Sequence, residues 1–167
     1  MSTSRVTVEC VVEARPAAVF AIVSDPSRHP EIDGSGMVKA APASDERVSG
    51  VGDRFGMQMK WGIGYEMTNV VTEYDPDRRF VWRPLVARPA WLGKLAERSG
   101  GHVWGYELEA VGDTTRVRHF YDWSGAPAAE TFYIRAARWP DRAGRAMTGT
   151  LDRLAEVVAA GDAPSPA

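Results

Sequence analysis

Histidine and tyrosine side chains are the residues of this chain whose chemistry could serve a catalytic site. The chain has 167 residues, three of them histidines. His119 lies in the middle of an alternating stretch, and an imidazole takes up and releases protons near neutral pH. With Tyr106 or Tyr65 it could act as a general acid or base in enolisation or loss of water, a gain of about 10²–10⁴ in rate. A hydrogen-bonded core histidine is the competing interpretation.

The other polar candidates have more modest expected roles. His102 lies near a strand end and is expected at a cavity mouth or simply exposed, whereas His29 is expected at the surface. Asn69 could orient a ligand carbonyl, or it could be a buried amide whose hydrogen bonds are satisfied. Asp25 and Glu31 are typical turn and cap residues. The pattern places no carboxylate or arginine on the inward face, which weakens the catalytic interpretation.

A set of apolar and aromatic side chains shares the inward face of the predicted strands. Each methionine or tryptophan alone is explained well by ordinary core packing. Tyrosine and tryptophan carry polar hydrogens that need partners, however, so many of them on one face favour a cavity that holds water or a ligand. The predicted ligand-binding residues are Met57, Met59, Trp61, Met67, Asn69, Trp82, Trp104, Tyr121 and Trp123 on strands, with Met147 and Leu151 on the last helix.

One turn places the last two strands in register. If Gly112 and Asp113 form a two-residue type II′ turn, with glycine supplying the positive φ at the first position, Val111 faces Thr114. The inward pairs are then Leu108 with Val117, Tyr106 with His119, Trp104 with Tyr121, and His102 with Trp123. The opposite face is charged and therefore faces solvent; it carries Glu107, Glu109, Arg116, Arg118 and Asp122.

The element that must cover the inward rings is a helix predicted over residues 140–160. Its apolar residues recur at three-and-four spacing, and its charged residues fall on the other side. Pro140 and Asp141 suit its first turn, and Gly161 with Pro164 marks its end. Its first half carries small residues, namely Ala143, Gly144, Ala146 and Gly149. These residues are expected to leave some space open between the helix and the sheet.

The rest of the chain is predicted as strands and short helices. Period-two alternation indicates strands over residues 6–12, 54–61, 65–75 and 80–82, with a weak candidate at 37–41. A helix opening at Pro16 and one further turn at 29–32 follow the first strand. Residues 42–52 are expected to form turns, and residues 84–101 a loop able to cover the interior.

Composition bounds the class of protein. The length and the 44% of hydrophobic residues predict one domain over residues 1–167, with a core at about 5–160 and a flexible tail at 161–167. The formal net charge is −2 without a basic run, which disfavours nucleic acid. Cys10 is the only cysteine, so an intramolecular disulfide is excluded and a reducing cytoplasm is expected.

Other chemistries find little support in the sequence. No apolar run approaches a membrane span, so membrane insertion is not expected. The histidines lack metal-ligand spacing and no glycine-rich phosphate loop follows a strand, so neither a metal nor another cofactor is expected. The segment Ser124-Gly125 lacks the context of a nucleophile elbow. The oligomeric state is expected to be a monomer or a homodimer.

The predicted order of elements and several local segments resemble the START-like helix-grip superfamily, and more closely the polyketide cyclase/dehydrase branch of the SRPBCC group. The resemblance covers residues 5–160 and depends on turn and core motifs. These are ARPAAVF at 14–20, DPSRHP at 25–30, VGDRF at 51–55, VTEYDP at 71–76, FVW at 80–82 and LDRLAE at 151–156. It implies an α+β helix-grip fold, in which a curved antiparallel sheet wraps around a long C-terminal helix and two short helices follow the first strand.

The same resemblance implies a cavity for a small hydrophobic, aromatic, polyketide-like or lipid molecule. Fold alone does not set the activity, so three functions stay open. The first is ligand binding. The second is a polyketide cyclase, aromatase or dehydratase that uses His119 with Tyr106 or Tyr65. The third is a protein-interaction or stress-response module.

Overall fold

The structure is a computed structural model and describes residues 4–40, 48–61, 63–88 and 101–161. Its elements in chain order are β1 (Arg5–Val12), α1 (Pro16–Val23), a 3₁₀ turn (Pro26–Arg28), α2 (His29–Ile32), β2 (Val38–Ala40), β3 (Arg54–Trp61), β4 (Ile63–Asp75), β5 (Arg79–Arg88), β6 (Val103–Val111), β7 (Thr114–Asp122), α3 (Ala128–Ala136) and α4 (Trp139–Gly161).

Within the described residues, seven strands form one curled antiparallel sheet around the terminal helix. The strand order is β1-β7-β6-β5-β4-β3-β2, so only β1 leaves its sequence neighbours and pairs with the last strand. The helix α4 packs mainly against β1 and α2. This arrangement confirms the predicted α+β helix-grip fold.

The segment after β1 forms two short helices, as predicted. Pro16 opens α1, where its missing N–H would have no partner inside the helix. The Asp25 carboxylate caps the 3₁₀ turn and accepts a hydrogen bond from the Ser27 backbone N–H at 2.9 Å. Glu31 lies in the first turn of α2 and pairs with Arg28 at 2.9 Å. The predicted cap role of Asp25 is therefore confirmed, and Glu31 is a first-turn residue that caps no helix.

The helix α4 has the predicted amphipathic pattern and begins one residue earlier than expected. Pro140 and Asp141 lie in its first turn, where an acid meets the positive end of the helix dipole. Its buried face consists of Ala143, Met147, Thr150, Leu151, Leu154 and Val158. None of the helices in the described ranges combines the length and the apolar character of a membrane span.

The small residues in the first half of α4 serve close packing. The backbone N–H of Gly34 donates to Thr150 Oγ1 at 3.0 Å. A Cβ added at Gly34 would lie 2.2 Å from the Thr150 nitrogen, and one added at Gly149 would lie 3.3 Å from the Gly34 Cα. The absence of a side chain at Gly149 therefore lets the loop after α2 pack directly against α4. Open space was expected at this position, so that expectation is wrong at Gly149.

The hairpin of β6 and β7 has the predicted register. Trp104 pairs with Tyr121, Tyr106 with His119, and Val111 with Thr114. Gly112 has a φ of 62°, as the first position of a type II′ turn requires. Trp104, Tyr106, His119 and Tyr121 consequently share one face, while Glu107, Arg118 and Asp122 lie on the other together with Phe120.

The charged face of the hairpin lies outward and carries ion pairs. Arg118 contacts Glu9 at 3.1 Å and Glu109 at 3.3 Å, linking β1, β7 and β6. The Arg5 guanidinium pairs with Glu107 at 2.7 Å and lies 3.8 Å above the Phe120 ring. This face therefore holds three strands together on the side away from α4.

The strand β5 is longer than predicted. It continues through Pro84, which pairs with Asn69, and ends at Arg88. On its other side β5 pairs with β6 only from Arg79 to Trp82. Beyond Trp82 that edge makes no strand pair in the described chain, so a proline without an N–H is tolerated there. The remainder of the expected loop, residues 89–100, lies outside the described residues, as do residues 42–47 and 162–167.

The helix α3 was not predicted. Its apolar residues do not form a single face, because Phe132 and Tyr133 are 75% and 67% exposed whereas Ile134 is buried. Arg138, with a φ of 52°, provides the sharp connection to α4. The weak periodicity of α3 explains why the sequence pattern missed it.

Replacement of Gly34 by alanine is expected to destabilise the fold by about 1–3 kcal/mol, because the added methyl group would overlap the backbone of α4. Gly50→Ala is the matched control, since nothing lies within 4 Å of its added Cβ. Urea unfolding of both variants measures the difference. A Gly34→Ala protein as stable as Gly50→Ala would contradict the close packing.

Candidate functional site

The predicted inward residues of β6 and β7 come together as one stack of rings, here called the aromatic ladder: Trp104, Tyr106, His119, Tyr121 and Trp123. The His119 and Tyr106 rings stack with centroids 4.2 Å apart. The Trp104 and Tyr121 centroids are 4.6 Å apart, and those of Tyr121 and Trp123 are 5.3 Å apart. All five rings belong to the face opposite the ion pairs, so their inward orientation is confirmed.

Residues of α3 and α4 pack against one end of the aromatic ladder. Tyr121 and Trp123 form a buried cluster with Ile134 of α3 and with Ala143 and Met147 of α4. Ala143 thus faces rings, which occupy the space that its own small side chain leaves. This end of the ladder is enclosed by two helices, of which α3 was not predicted.

Several buried polar atoms around the aromatic ladder have no hydrogen-bond partner among the described residues. They are His119 Nδ1, His119 Nε2, Trp123 Nε1 and Glu130 Oε2. A buried polar atom without a partner costs about 1–3 kcal/mol, and such atoms are rare in native proteins. Their concentration on one interior face indicates a place where polar atoms of another molecule could bind.

The environment of His119 keeps its ring neutral. Burial lowers the pKa of His119 to about 3, with a smaller contribution from His29. The sequence pattern led us to expect titration near neutrality, but desolvation in the stack disfavours the charged ring. A neutral imidazole offers one N–H donor and one acceptor nitrogen. His119 is therefore better suited to hydrogen bonding than to proton uptake at neutral pH.

The two tyrosines of the aromatic ladder are kept protonated. Burial raises the pKa of Tyr106, and the negative charge of Asp33 raises it further. Burial likewise raises the pKa of Tyr121, with an added contribution from Glu130. Both phenols are therefore hydrogen-bond donors throughout the neutral range.

The prediction that His29 lies at the surface is wrong. Its side chain is only 6% exposed, and its Nε2–H donates to the Val23 carbonyl at 2.9 Å. The ring lies against Phe55 and Trp82, with centroids 5.7 and 5.9 Å away. Burial also lowers the pKa of His29. The polar residues next to His29 in the sequence suggested an exposed position. In the fold, the 3₁₀ turn and α2 direct the His29 ring toward the core.

A histidine–carboxylate pair lies beside the aromatic ladder. His102 Nδ1 lies 3.0 Å from Glu130 Oε1, and the Glu130 side chain is 13% exposed. The His102 ring centroid is 5.7 Å from that of Tyr121. Contrary to the sequence-based expectation, the interior therefore has a carboxylate. The signal that could have identified it is an acid in the first turn after Pro127, four residues before buried Ile134.

Two glycines position this pair. A Cβ added at Gly101 would lie 2.1 Å from the Gly125 carbonyl oxygen, and one added at Gly125 would lie 2.9 Å from the Gly101 oxygen. The backbones just before β6 and just before α3 therefore touch. This contact brings His102, which follows Gly101, to the first turn of α3.

The remaining predicted ligand-binding residues occupy varied positions. Trp82 is buried, with its centroid 5.9 Å from that of Tyr106, and Asn69 is buried, with its amide donating to the Phe55 carbonyl at 3.4 Å. Met147 and Leu151 are buried on α4, whereas Met57, Met59 and Met67 are partly buried. The side chains of Trp61 and Tyr65 lie outside the described ones.

In the described part of the chain, no three His, Cys, Asp or Glu side chains come together to suit a metal ion.

The sheet and the terminal helix define the helix-grip class of α+β proteins. Within that class, the model of the family described as polyketide cyclase/dehydrase and lipid transport matches residues 3–159. The chain belongs to this family, as its sequence motifs predicted.

One curated relative is the uncharacterized protein Rv0088 of Mycobacterium tuberculosis strain H37Rv. It is 35% identical over 127 residues, which are 74% of this chain and 50% of the relative. A second relative, MT0096 of strain CDC 1551, is 35% identical over 128 residues. The chain therefore spans about half the length of these relatives.

Solved structures share the fold at low sequence identity. Protein Ms6760 from Mycobacterium smegmatis has a TM-score of 0.67 and 15% identity, over 95% of this chain and 93% of its own. DynU16, a protein of the dynemicin biosynthetic locus, has a TM-score of 0.57 and 19% identity, over 96% of this chain and 49% of its own. These similarities support the fold.

Replacement of His119 by phenylalanine is expected to flatten the pH dependence of stability in mild acid. Because the pKa of His119 falls from 6.5 to about 3 on folding, the unfolded chain binds more protons between these values. Stability therefore decreases as the pH falls through this range. At pH 5 the loss from His119 is about 2 kcal/mol, since each pH unit corresponds to about 1.4 kcal/mol.

Urea unfolding of the wild type and His119→Phe at pH 7.5 and pH 5 measures this difference. The wild type should lose about 2 kcal/mol more than the variant between the two conditions. The phenyl ring preserves the stack on Tyr106, so the comparison isolates the protonation effect. Equal losses in both proteins would show that His119 is not held neutral by burial.

Proposed function

We propose that this chain binds a small hydrophobic, aromatic or polyketide-like molecule between α4 and the sheet, against the aromatic ladder. The observation that carries this proposal is the group of unpartnered polar atoms on the buried ring face, namely those of His119, Trp123 and Glu130. In a core that binds no ligand, apolar side chains at these positions would avoid the free-energy cost of burying unpaired polar atoms. A ligand with a few polar atoms would satisfy them.

The rings are suited to a flat, apolar guest. Aromatic side chains offer large contact surfaces and favour stacked or edge-to-face partners with centroids about 4.5–7 Å apart. The Trp104–Tyr121 and Tyr121–Trp123 centroid distances of 4.6 and 5.3 Å lie in this range, and the stacked His119 and Tyr106 rings are slightly closer, at 4.2 Å. A planar, conjugated molecule could extend the same stacking pattern. Small-molecule sites commonly combine such an apolar lining with a few polar groups.

The polar groups would set the orientation of the guest. Neutral His119 supplies one donor and one acceptor, and the Trp123 indole supplies a donor. Ketone and hydroxyl oxygens, which alternate along a polyketide chain, are suitable partners for these groups. The family description names polyketide cyclases, dehydrases and lipid transport, and DynU16 comes from a biosynthetic locus. Both fit a ligand of this kind.

Trp123→Phe is expected to weaken the binding of oxygenated aromatic compounds by about fivefold to tenfold. It removes one buried N–H donor, and a hydrogen bond contributes about 1 kcal/mol. Tyr133→Phe is the matched control, because it removes a hydroxyl from a tyrosine that is 67% exposed.

Isothermal titration calorimetry with a panel of flavonoid-like and polyketide-like compounds measures these affinities, and native mass spectrometry of the purified protein detects a retained ligand. The wild type and Tyr133→Phe should bind alike. A panel without any titratable or retained compound would argue against ligand binding.

The second candidate is cyclisation or dehydration of a poly-ketone, favoured by the stack of His119 on Tyr106. In ring closure, an enolised methylene carbon bonds to a ketone carbon, whose oxygen takes up a proton. Loss of that hydroxyl with a neighbouring hydrogen then releases water. Neutral His119 and protonated Tyr106, with Tyr65 as a further candidate, could donate hydrogen bonds to the carbonyl oxygen as charge develops.

For this candidate, His119→Phe should lower turnover of a poly-β-ketone thioester at least tenfold, since one donor to a developing oxyanion contributes about 10²–10³ in rate. Liquid chromatography with mass detection follows the cyclised and dehydrated products. Phe132→Ala, on the exposed face of α3, should retain wild-type turnover. Unchanged turnover in His119→Phe would remove this residue from the mechanism.

A further inference from the structure

We propose that Glu130, held by His102, selects ligands that present a neutral hydroxyl group, either a phenol or an enol, at the α3 end of the aromatic ladder. This inference rests on the proposed ligand binding and adds the chemical group that is recognised. The free Glu130 Oε2 accepts the hydroxyl hydrogen, and the nearby indole N–H of Trp123 can donate to the hydroxyl oxygen. The proposal involves binding and no covalent step.

The geometry of Glu130 makes one of its oxygens available. Its Oε1 is occupied by His102 Nδ1 at 3.0 Å, whereas Oε2 is buried and has no partner among the described residues. Glu130 lies one helical turn before Ile134, which is buried in the cluster with Tyr121 and Trp123. Residues four apart share a helix face. The carboxylate is therefore directed to the side of α3 that covers the aromatic ladder.

The position of Glu130 in α3 suits an acidic side chain. It lies in the first turn of α3, where the helix dipole stabilises an anion, and Pro127 at the N-cap offers no side-chain acceptor. Its negative charge contributes to the raised pKa of Tyr121, which places the carboxylate close to the aromatic ladder. An ionised carboxylate accepts hydrogen bonds and donates none. A partner for Oε2 must therefore carry a donor hydrogen.

The role of His102 is to position the carboxylate. Because the carboxylate is an acceptor, the His102 ring must carry its proton on Nδ1, and the close approach of Gly101 to Gly125 keeps the two residues together. Occupation of Oε1 by this bond leaves Oε2 as the remaining acceptor. His102 is thus a positioning residue, and Glu130 is the group expected to touch the ligand.

This arrangement discriminates between related ligands. A phenol or enol donates a hydrogen bond to Oε2, whereas a methyl ether of the same shape leaves Oε2 unpaired in the interior. The cost of this unpaired acceptor exceeds the net gain from a typical hydrogen bond. A ligand carboxylate at the same place would be repelled by the like charge. Ketones without an adjacent enol would depend on His119 and Trp123 alone.

The test uses the full chain with two probes of matched shape, 2-naphthol and 2-methoxynaphthalene, in isothermal titration calorimetry. The wild type should bind 2-naphthol at least about tenfold more tightly, as expected for a charged hydrogen bond. Glu130→Gln should lose this preference, because its amide oxygen would accept from His102 and its NH₂ would face the ligand. Glu156→Gln, an exposed substitution on α4, should keep the wild-type preference.

Further variants separate recognition from folding. Glu130→Leu removes the carboxylate without adding a donor and should bind the two probes about equally, with thermal unfolding recorded alongside. His102→Phe should reduce the preference, and His102→Gln, which retains a donor, should restore part of it. Such a rescue is not expected from a purely structural role.

The outcomes distinguish the two proposals. Equal affinity of the wild type for both probes would overturn the selection by Glu130 and leave ligand binding standing. A preference for 2-naphthol that persists in both Glu130 variants would also overturn it. Binding of neither probe would count against the proposed function as well.

Discussion

The packing of α4 against the inner face of the curled sheet is the constraint on which the structure depends. A single sheet of this kind has one charged face and one apolar face, and without the helix its rings would be exposed to water. Met147, Leu151 and Leu154 cover those rings, and the close contact at Gly34 and Gly149 holds the helix in place. Because the sheet curls around a straight helix, the inner surface is concave. A concave, ring-lined surface is where small molecules bind.

Burial by α4 also sets the chemistry of the interior. Desolvation lowers the pKa of His119 and raises those of Tyr106 and Tyr121, so the ladder is uncharged at neutral pH. One carboxylate beside it, Glu130, lies at its α3 end and is supported by a helix dipole and by His102. The interior therefore combines a neutral, aromatic wall with an acidic end. The oxygenated aromatic ligand that we propose is compatible with this distribution.

The proposed function depends on the few polar groups that the apolar interior of this chain does not satisfy. The shared fold with DynU16 and Ms6760 accounts for the sheet and the helix, but at 19% and 15% identity it does not specify the site. In this chain those groups are His119 on β7, Trp123 just after that strand and Glu130 on α3. Ligand binding and catalysis would use the same polar atoms. Catalysis would require in addition that their hydrogen bonds to the ligand become stronger in the transition state.

Strong periodicity was enough to predict several elements from the residues alone. The alternation of β6 and β7, the turn at Gly112 and the stripe of α4 are local signals, so they predicted the register and the inward rings, which make up most of the aromatic ladder. Three features emerge only in the folded chain: the buried position of His29, the passage of β5 through Pro84, and the pairing of His102 with Glu130. These features depend on which segments meet in space. Local periodicity indicates which face of an element is buried, but it does not record which distant segment packs against a given side chain.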